Sequence, residues 1–375
     1  MGNQVGSLSE REAYVAFNLT DKIGSVKLAE LVAASGSVVA AWEAYPQKAS
    51  RSGAELDWGR EFALAKRYGV EIVTPADPCY PPRLLDQPSH PLALYVKGDA
   101  SVLLSPSIAI VGTRRATAYG LDQSFRIAKG LAENGWTIVS GLALGIDAES
   151  HRGALAAEGK TVGVIGSGLD EFYPEENRAL AREIVENGGA VVSEFPFGRY
   201  PDAQTFPQRN HTVAALAMGV VAIEAPIKSG TLITTSCAAD MGRVVMAVPG
   251  RVDSRSSAGC LALLRDGARL VRSAADIEEE LSPLLPLAER KAQKAKRRPR
   301  SVGGSSEETA APKPKYSVEE AIVMREVDAE GIPMDLLIRR TGLPVEKVNA
   351  LCMSLRLKGR VRFFPGNRVA LPREA

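Results

Sequence analysis

Short apolar runs alternate with amphipathic segments through the middle of the chain, from residue 107 to residue 281. The runs lack the apolar–polar alternation of half-exposed strands, so they predict a parallel sheet covered on both faces. The predicted strands are 107–111, 137–139, 161–165, 190–193, 220–225 and 244–248, and a predicted helix follows each of them. This order predicts an α/β fold, a Rossmann-like doubly wound parallel sheet, in an extended domain that spans residues 71–281.

Helical spacing of apolar residues marks the first 70 positions as a separate region. It predicts helices over residues 8–19, 25–34, 38–44 and 57–68. The turn at 20–25 resembles that of a helix-hairpin-helix unit, which can hold a DNA phosphate on its backbone amides. A small cap that only packs against the next domain has the same pattern. We expect a SAM-like or helix-hairpin-helix-like helical domain over residues 1–70 and favour the role of a cap.

The last third of the chain changes character twice. Residues 282–315 are rich in proline, glycine, serine and charge, which predicts a flexible basic linker. Its basic run at 290–300 either contacts a nucleic acid backbone or is only a solvated stretch. Residues 316–375 then predict a winged helix, with helices at 316–330, 332–342 and 344–357 and a hairpin that pairs 360–364 with 368–371.

The predicted winged helix does not identify its binding partner, because such domains bind either DNA or proteins. DNA contact is plausible for its basic residues, which are Arg339, Arg340, Lys347, Arg356, Lys358, Arg360 and Arg362.

Four glycine-bearing turns stand where predicted strands give way to helices. In such a sheet ligands bind outside the carboxyl ends of the strands, so all four turns are expected to line one crevice. Glycine lets the backbone approach an anion closely, and the N–H groups of the following helix favour negative charge. The candidate phosphate-binding residues on or near these turns are Gly112, Thr113, Arg114, Arg115, Ser140, Gly141, Gly145, Gly166, Gly168, Arg178, Arg209, Lys228, Ser229, Gly230 and Thr231.

Aromatic residues are frequent on the loops of the same side. Binding of single-stranded DNA combines a basic groove with aromatic platforms on which bases stack. We therefore expect one or two members of this group to contact a base and the others to belong to the core. The group is Phe172, Tyr173, Phe195, Phe197, Tyr200 and Phe206.

Composition and motifs exclude several other kinds of chemistry. The first turn is not G-x-G-x-x-G and the chain has no P-loop motif, so neither a dinucleotide cofactor nor a P-loop ATPase is expected. The three histidines, His90, His151 and His211, have no metal-ligand spacing. No serine lies in a G-x-S-x-G turn with triad partners. We expect no cofactor, no metal and no catalytic residue.

The net charge of +2 is too small to indicate a polyanion partner by itself. Four scattered cysteines are expected to be reduced thiols. Without a signal-peptide pattern or an apolar run of membrane-spanning length, the sequence predicts a cytoplasmic protein that does not enter a membrane.

Several longer motifs together resemble those of the DNA-processing protein A family (DprA, also called Smf). They are IAIVGTRRATAYG (108–120), SGLALGIDAESHRGAL (140–155), VGVIGSGLDEFYPEENRAL (162–180), SEFPFG (193–198), the stretch from FPQRN to VPG (206–250) and GCLALLRDGARLV (259–271). The resemblance implies a non-catalytic homodimer that binds and protects incoming single-stranded DNA. It also implies that the protein helps to load the recombinase RecA in natural transformation.

The resemblance assigns phosphate-binding positions residue by residue. On its motifs these are Gly112, Thr113 and Arg114, Gly141 and Gly145, Gly166, Gly168 and Asn177, Arg209 and Asn210, and Ser229, Gly230 and Thr231. Two positions depart from the family's pattern. His211 stands where many relatives carry a second arginine, and Glu175 and Glu176 stand where lysine is common. We therefore expect Arg178 or Arg182 to supply the positive charge there.

Two other functions and a dimer surface remain open. A lysine-decarboxylase-like phosphoribohydrolase shares this type of sheet, but the acid that follows its G-T pair is missing after Gly230-Thr231. A ligand-sensing transcription regulator with a winged helix is the third possibility. Leu261, Leu264 and Leu270 either form part of a two-fold interface or pack inside the domain.

Overall fold

The structure is a computed structural model that describes residues 8–45, 57–285, 317–328, 331–358, 360–364 and 367–371. The described residues form two compact units. The first comprises residues up to 116 and those from 123 to 285, and the second comprises 117–122 and the residues from 317 onward. Within these ranges no single helix has the length and apolar character needed to cross a membrane. Two short helices pass that test only when counted together, and they meet at 89°.

Four helices precede the sheet, close to their predicted bounds. They are α1 (Glu10–Leu19), α2 (Ser25–Ser35), α3 (Val38–Ala44) and α4 (Trp58–Tyr68). The side chain of Ser9 accepts from the backbone of Glu12 in a capping box that starts α1, and Gly36 ends α2 in the left-handed conformation. Phe17 and Trp42 pack edge to face, with ring centroids 5.1 Å apart, at the centre of this helical cap.

The sheet has nine strands in the order β1-β2-β6-β5-β4-β3-β7-β8-β9. The strands are β1 (Glu71–Val73), β2 (Leu94–Gly98), β3 (Ser107–Val111), β4 (Thr137–Ser140), β5 (Thr161–Val164), β6 (Ala190–Ser193), β7 (Gly219–Ala222), β8 (Val244–Ala247) and β9 (Arg269–Leu270). The pairs β1–β2 and β2–β6 are antiparallel, and the others are parallel. The strand order reverses beside β3, which makes the gap between β3 and β7 the topological switch point.

Helices cover both faces of this sheet. They are α5 (Pro82–Leu85), α6 (Ala118–Glu133), α7 (Ile146–Ala156), α8 (Arg178–Glu186), α9 (Thr205–Leu216), α10 (Gly230–Asp240), α11 (Ala258–Arg265) and α12 (Ala274–Leu281), with short 3-10 turns at Ala100–Leu104, Glu175–Asn177 and Ser282–Leu284. On β3, Ala109 and Val111 pack in one core with α9 and α10, while Ile108 and Ile110 pack in the other with α6 and α12. Apolar residues on both faces explain the uninterrupted apolar run, so the predicted Rossmann-like fold is confirmed.

The C-terminal unit has the predicted winged-helix order of elements. It contains α13 (Val318–Glu326), α14 (Met334–Thr341), α15 (Val345–Leu357) and a three-stranded sheet in the order β10-β12-β11, formed by Ile332–Pro333, Arg368–Ala370 and Arg362–Phe364. The prediction that Ile332 and Pro333 begin a helix was wrong. Ile332 pairs with Val369 in the sheet, and Pro333 has extended torsions. Most of the predicted linker, from 286 on, and the turn residues 365 and 366 lie outside the described residues.

Candidate nucleic-acid interface

A cleft of about 530 Å³ opens at the switch point. The turns after β3, β4 and β7 line it together with the first turns of α9. Gly166, on the turn after β5, lines a smaller adjoining pocket. Three of the four predicted turns therefore meet in one cleft, and the other borders it.

The floor of the cleft is a buried pair of opposite charges, Asp147 and Arg209. The carboxylate of Asp147 accepts from the backbone N–H of Gly141 at 3.2 Å and also from the amides of Gly112 and Ala143. The guanidinium of Arg209 donates to the carbonyl oxygen of Val164 at 2.8 Å and to that of Gly141. Burial raises the pKa of the Asp147 carboxyl, and the facing guanidinium opposes that rise.

These bonds change the expected roles of the first two turns. The amides of Gly112 and Gly141, expected to hold phosphate, already donate to Asp147. Both glycines are needed for packing, because a Cβ at Gly112 would meet Ile146 and one at Gly141 would meet the Arg209 guanidinium. Gly145 has φ +79, and a Cβ there would lie 2.5 Å from the carbonyl oxygen of Thr113. The two turns therefore shape the floor of the cleft.

The start of α10 is different, because the hydroxyl of its N-cap residue has no partner. Ser229 is the N-cap residue, but it makes no side-chain capping bond, and its hydroxyl is buried with no hydrogen-bond partner. Gly230 is exposed, and nothing lies within 4 Å of a Cβ built on it. The first N–H groups of a helix have no partner inside the helix, and they carry partial positive charge. The start of α10 is thus open to a ligand at this end of the cleft.

Three exposed cations line the same cleft: Arg114, Arg115 and Lys228. None of them forms an ion pair with a described residue, so their charges are available to a ligand. Arg178 differs, since it makes two hydrogen bonds of 2.7 Å to Glu175. The expected charge from Arg178 is thus balanced locally, and it does not line the cleft.

Two rings of the aromatic group border the cleft. The guanidinium of Arg114 lies over Phe206, 5.2 Å from its centroid, and Phe206 lies 6.0 Å from Tyr173, centroid to centroid. Tyr173 is 46% exposed and lines the smaller pocket with Phe206 and Gly166. Phe195 is buried, and Phe197 stacks on Tyr68 outside the cleft. Within the aromatic group, Tyr173 and Phe206 are thus the two that border the cleft and the adjoining pocket.

Other candidate residues have positions that suit packing better than ligand contact. Ser140 donates its hydroxyl to the carbonyl oxygen of Ile110 at 2.6 Å, and Asn177 donates its amide to that of Leu142 at 2.8 Å. Both side chains are buried, and neither residue lines the cleft. Gly168 is enclosed by Asp170 and the carbonyl oxygen of Pro196. In contrast, Thr113, Asn210 and Thr231 line the cleft as expected.

Sequence reasoning missed Ile233 as a cleft residue. Ile233 lies three residues after Gly230, so both occupy nearly the same face of α10, and both line the cleft. The three-residue spacing between Gly230 and Ile233 is the sequence signal that could have placed Ile233 in the cleft.

The leucines proposed for a two-fold interface divide into two groups. Leu261 and Leu264 are half-buried, and Leu264 packs against the small core cluster around Cys260. Leu270 is 55% exposed on β9, the last strand of the sheet, whose described pairing is with β8 alone. Leu270 is therefore the member whose side chain is available to another molecule.

In the winged helix, acidic residues balance several of the basic residues. Lys347 pairs with Glu319, Lys358 with Glu320 at 2.5 Å, and Arg340 with Glu326 at 3.9 Å. These pairs reduce the positive charge that α15 and α14 could offer to DNA.

The fold and the cleft define a class of protein. Its members have a doubly wound α/β domain with a basic, glycine-lined cleft at the switch point, and they also carry a winged helix. The chain belongs to the DNA recombination-mediator protein A family. The family's model matches residues 71–282, and a model of the DprA winged helix domain matches residues 307–367. The resemblance drawn from the motifs is confirmed.

Relatives with similar sequences and structures support this assignment. Protein Smf of Escherichia coli (strain K12) is 36% identical over 297 residues, which are 78% of this chain and 75% of that protein. The X-ray structure of DNA processing protein A from Streptococcus pneumoniae matches with a TM-score of 0.62 and 33% identity, covering 73% of this chain and 99% of that one. DNA processing protein A from Helicobacter pylori, whose structure concerns its single-stranded DNA binding mode, matches with a TM-score of 0.52 and 30% identity over 58% of this chain and 98% of that one.

Proposed function

We propose that this protein binds single-stranded DNA in the switch-point cleft with little preference for base sequence. The observation that carries the proposal is the open start of α10. There a buried hydroxyl without a partner at Ser229 and an unobstructed Gly230 face a cleft with three unpaired cations. A DNA phosphate suits this combination, because helix N-terminal amides and arginines recognise phosphate without reading bases.

The aromatic border of the cleft favours a single strand over a duplex. In a duplex each base is stacked between its neighbours, so its faces are hidden from the protein. An unpaired strand can place a base against Tyr173 or Phe206 while its phosphates stay on α10. The Helicobacter pylori structure, which concerns single-stranded DNA binding by a related protein, supports the same choice.

The proposal includes no catalytic step. Asp147, the carboxylate at the floor of the cleft, is bonded to three backbone amides and faces Arg209, so it is poorly placed to act as a general base. Thr234, three residues after Thr231, stands at the position where the phosphoribohydrolase alternative requires an acid. Binding and presentation of DNA account for the cleft without chemistry on it.

We further propose that the protein acts in natural transformation and recombination in the cytoplasm, as a homodimer that protects incoming DNA and helps to load RecA onto it. The name of the family, DNA recombination-mediator protein A, supports a role with a recombinase. Exposed Leu270 on the edge strand β9 is the surface that we assign to the two-fold interface. The predicted organisation, with boundaries at residues 70, 281 and 315, is part of the same proposal.

A fluorescence anisotropy titration tests the binding proposal. Full-length protein is titrated against a labelled oligothymidylate and against a blunt duplex of equal length, at two salt concentrations. We expect tighter binding of the single strand and an affinity that falls steeply with salt, since phosphate contacts release counterions. Equal or tighter binding of the duplex would reject the proposal and favour the winged-helix transcription regulator.

A further inference from the structure

A second cavity, of about 700 Å³, lies between the helical cap and the sheet domain. Residues from the end of α1, the start of α2, the segment 89–92, α9 and α10 line it. All of these elements belong to the first compact unit. No sequence pattern predicts this cavity, because its walls come from segments far apart along the chain.

The interior of this cavity is polar. Asn18 is only 4% exposed, and its amide nitrogen has no hydrogen-bond partner. Glu194, also buried, accepts from the side-chain amide of Gln208 at 3.1 Å and from the hydroxyl of Thr212 at 3.1 Å. A buried amide without a partner is costly, so the Asn18 side chain is available to bond with an occupant.

The mouth of the cavity combines aliphatic side chains with polar ones, which include Lys27, Glu30 and Gln208. Val26 at 55% and Ile233 at 44% are exposed aliphatic side chains that line it. Apolar walls with a few placed polar groups are typical of sites for small organic groups, which the walls enclose and the polar groups orient.

The second cavity adjoins the DNA cleft. Pro207 and Ile233 line both of them. A strand whose phosphates lie on the start of α10 therefore passes close to the mouth of the second cavity.

We propose that the second cavity receives a nucleobase of the strand held in the cleft. The proposal rests on the proposed binding of single-stranded DNA and adds a base site to it. A phosphate is disfavoured there, because Lys27 is engaged with Glu30 at 2.6 Å and the interior holds the Glu194 carboxylate. A base is uncharged, has flat faces for the aliphatic side chains at the mouth and has edge groups for the Asn18 amide.

A variant in which the mouth of the second cavity is blocked tests the proposal. Val26→Trp places a large ring at the mouth from an exposed position on α2, and Ala29→Trp is the matched control, exposed on the same helix but not lining the cavity. Each protein is titrated with an oligothymidylate and with a fully abasic strand of equal length. The ratio of the abasic Kd to the thymidylate Kd measures how much the bases contribute.

We expect Val26→Trp to lower this ratio about tenfold, the equivalent of about 1.4 kcal/mol and within the range of a single base contact. The abasic Kd should not change, since no phosphate contact is lost, and Ala29→Trp should behave as wild type. Unchanged Kd values for both strands, or an equal rise in both, would overturn the base site. Wild-type protein that binds neither strand would instead reject the proposed function itself.

Thiol labelling gives a second readout that needs no blocking variant. Cys237 is half-buried and lines the cavity, while Cys260 and Cys352 are buried. In a Cys79→Ser protein, a maleimide therefore reports on Cys237. We expect oligothymidylate to slow the labelling and the abasic strand to leave the rate unchanged. Equal rates with and without oligothymidylate, or equal protection by both strands, would contradict the proposal.

Discussion

Replacement of Gly230 by alanine separates ligand contact from folding in one substitution. Gly230 is the first residue of α10, its φ is not in the left-handed region, and nothing lies within 4 Å of an added Cβ. Alanine is the better helix former by up to about 1 kcal/mol. We therefore expect Gly230→Ala to leave the melting temperature unchanged or slightly raised.

The expected loss of binding follows from the position of the new methyl group. It would stand where a phosphate must approach the first amides of α10. Loss of one hydrogen bond to a charged group costs about 1.5–3 kcal/mol. We therefore expect the Kd for oligothymidylate to rise about tenfold to hundredfold. The log–log dependence on salt should stay the same, because no cation has been removed.

Anisotropy titrations at several salt concentrations and a melting curve supply both measurements. Ser236→Ala is the control, because Ser236 is exposed on the same helix and does not line the cleft. Wild-type affinity for Gly230→Ala would refute the reasoning that phosphate sits on this helix start. Weaker binding with a lower melting temperature would show that the glycine serves packing instead.

Further predictions concern charge, assembly, domain organisation and acid stability. Arg114→Ala should reduce the magnitude of the log–log salt slope by about 0.7, as expected for one lost phosphate contact on a single strand, and an unchanged slope would remove this arginine from the site. Leu270→Glu should give a folded monomer in sedimentation experiments, and a persistent dimer would place the interface elsewhere. Deletion of 301–375 should keep single-strand affinity within about tenfold, and a hundredfold loss in a folded protein would move the principal site to the winged helix. Burial lowers the pKa of His151 to about 3, so the unfolded chain binds more protons below pH 6.5 and stability falls as the pH drops toward 3. Between pH 6.5 and 5 the free energy of unfolding should fall by about 2 kcal/mol on this account. Denaturant unfolding of His151→Gln should not show this fall, and an equal fall in both proteins would contradict the prediction.

Local patterns were enough to predict six of the nine strands, β3 to β8, and the position of the cleft. The strand Ser107–Val111 has the predicted bounds, because an apolar run that packs on both faces leaves few alternatives. The turn before α10 was predicted from glycine and hydroxyl residues after a buried strand, and the structure places it at the switch point. Both signals lie within about ten residues of sequence.

The contacts that decide which groups are free could not be predicted in the same way. Arg209 and Asp147 meet on the floor of the cleft although 62 residues separate them, and the Asp147 carboxylate occupies the amides of Gly141 and Gly112. Only the tertiary structure shows that the Ser229 hydroxyl at the start of α10 has no partner, whereas the amides of Gly112 and Gly141 are already bonded. The same holds for Asn18, whose missing partner depends on the packing of the cap against the sheet.

A crystal structure of the full-length protein with an oligothymidylate tests the central claim most directly, because it locates the phosphates. We predict a phosphate oxygen about 2.7–3.2 Å from the backbone nitrogen of Gly230 or Thr231, with Arg114 or Lys228 beside it. A strand bound elsewhere, for example along α15 of the winged helix, with the start of α10 left open, would contradict the account.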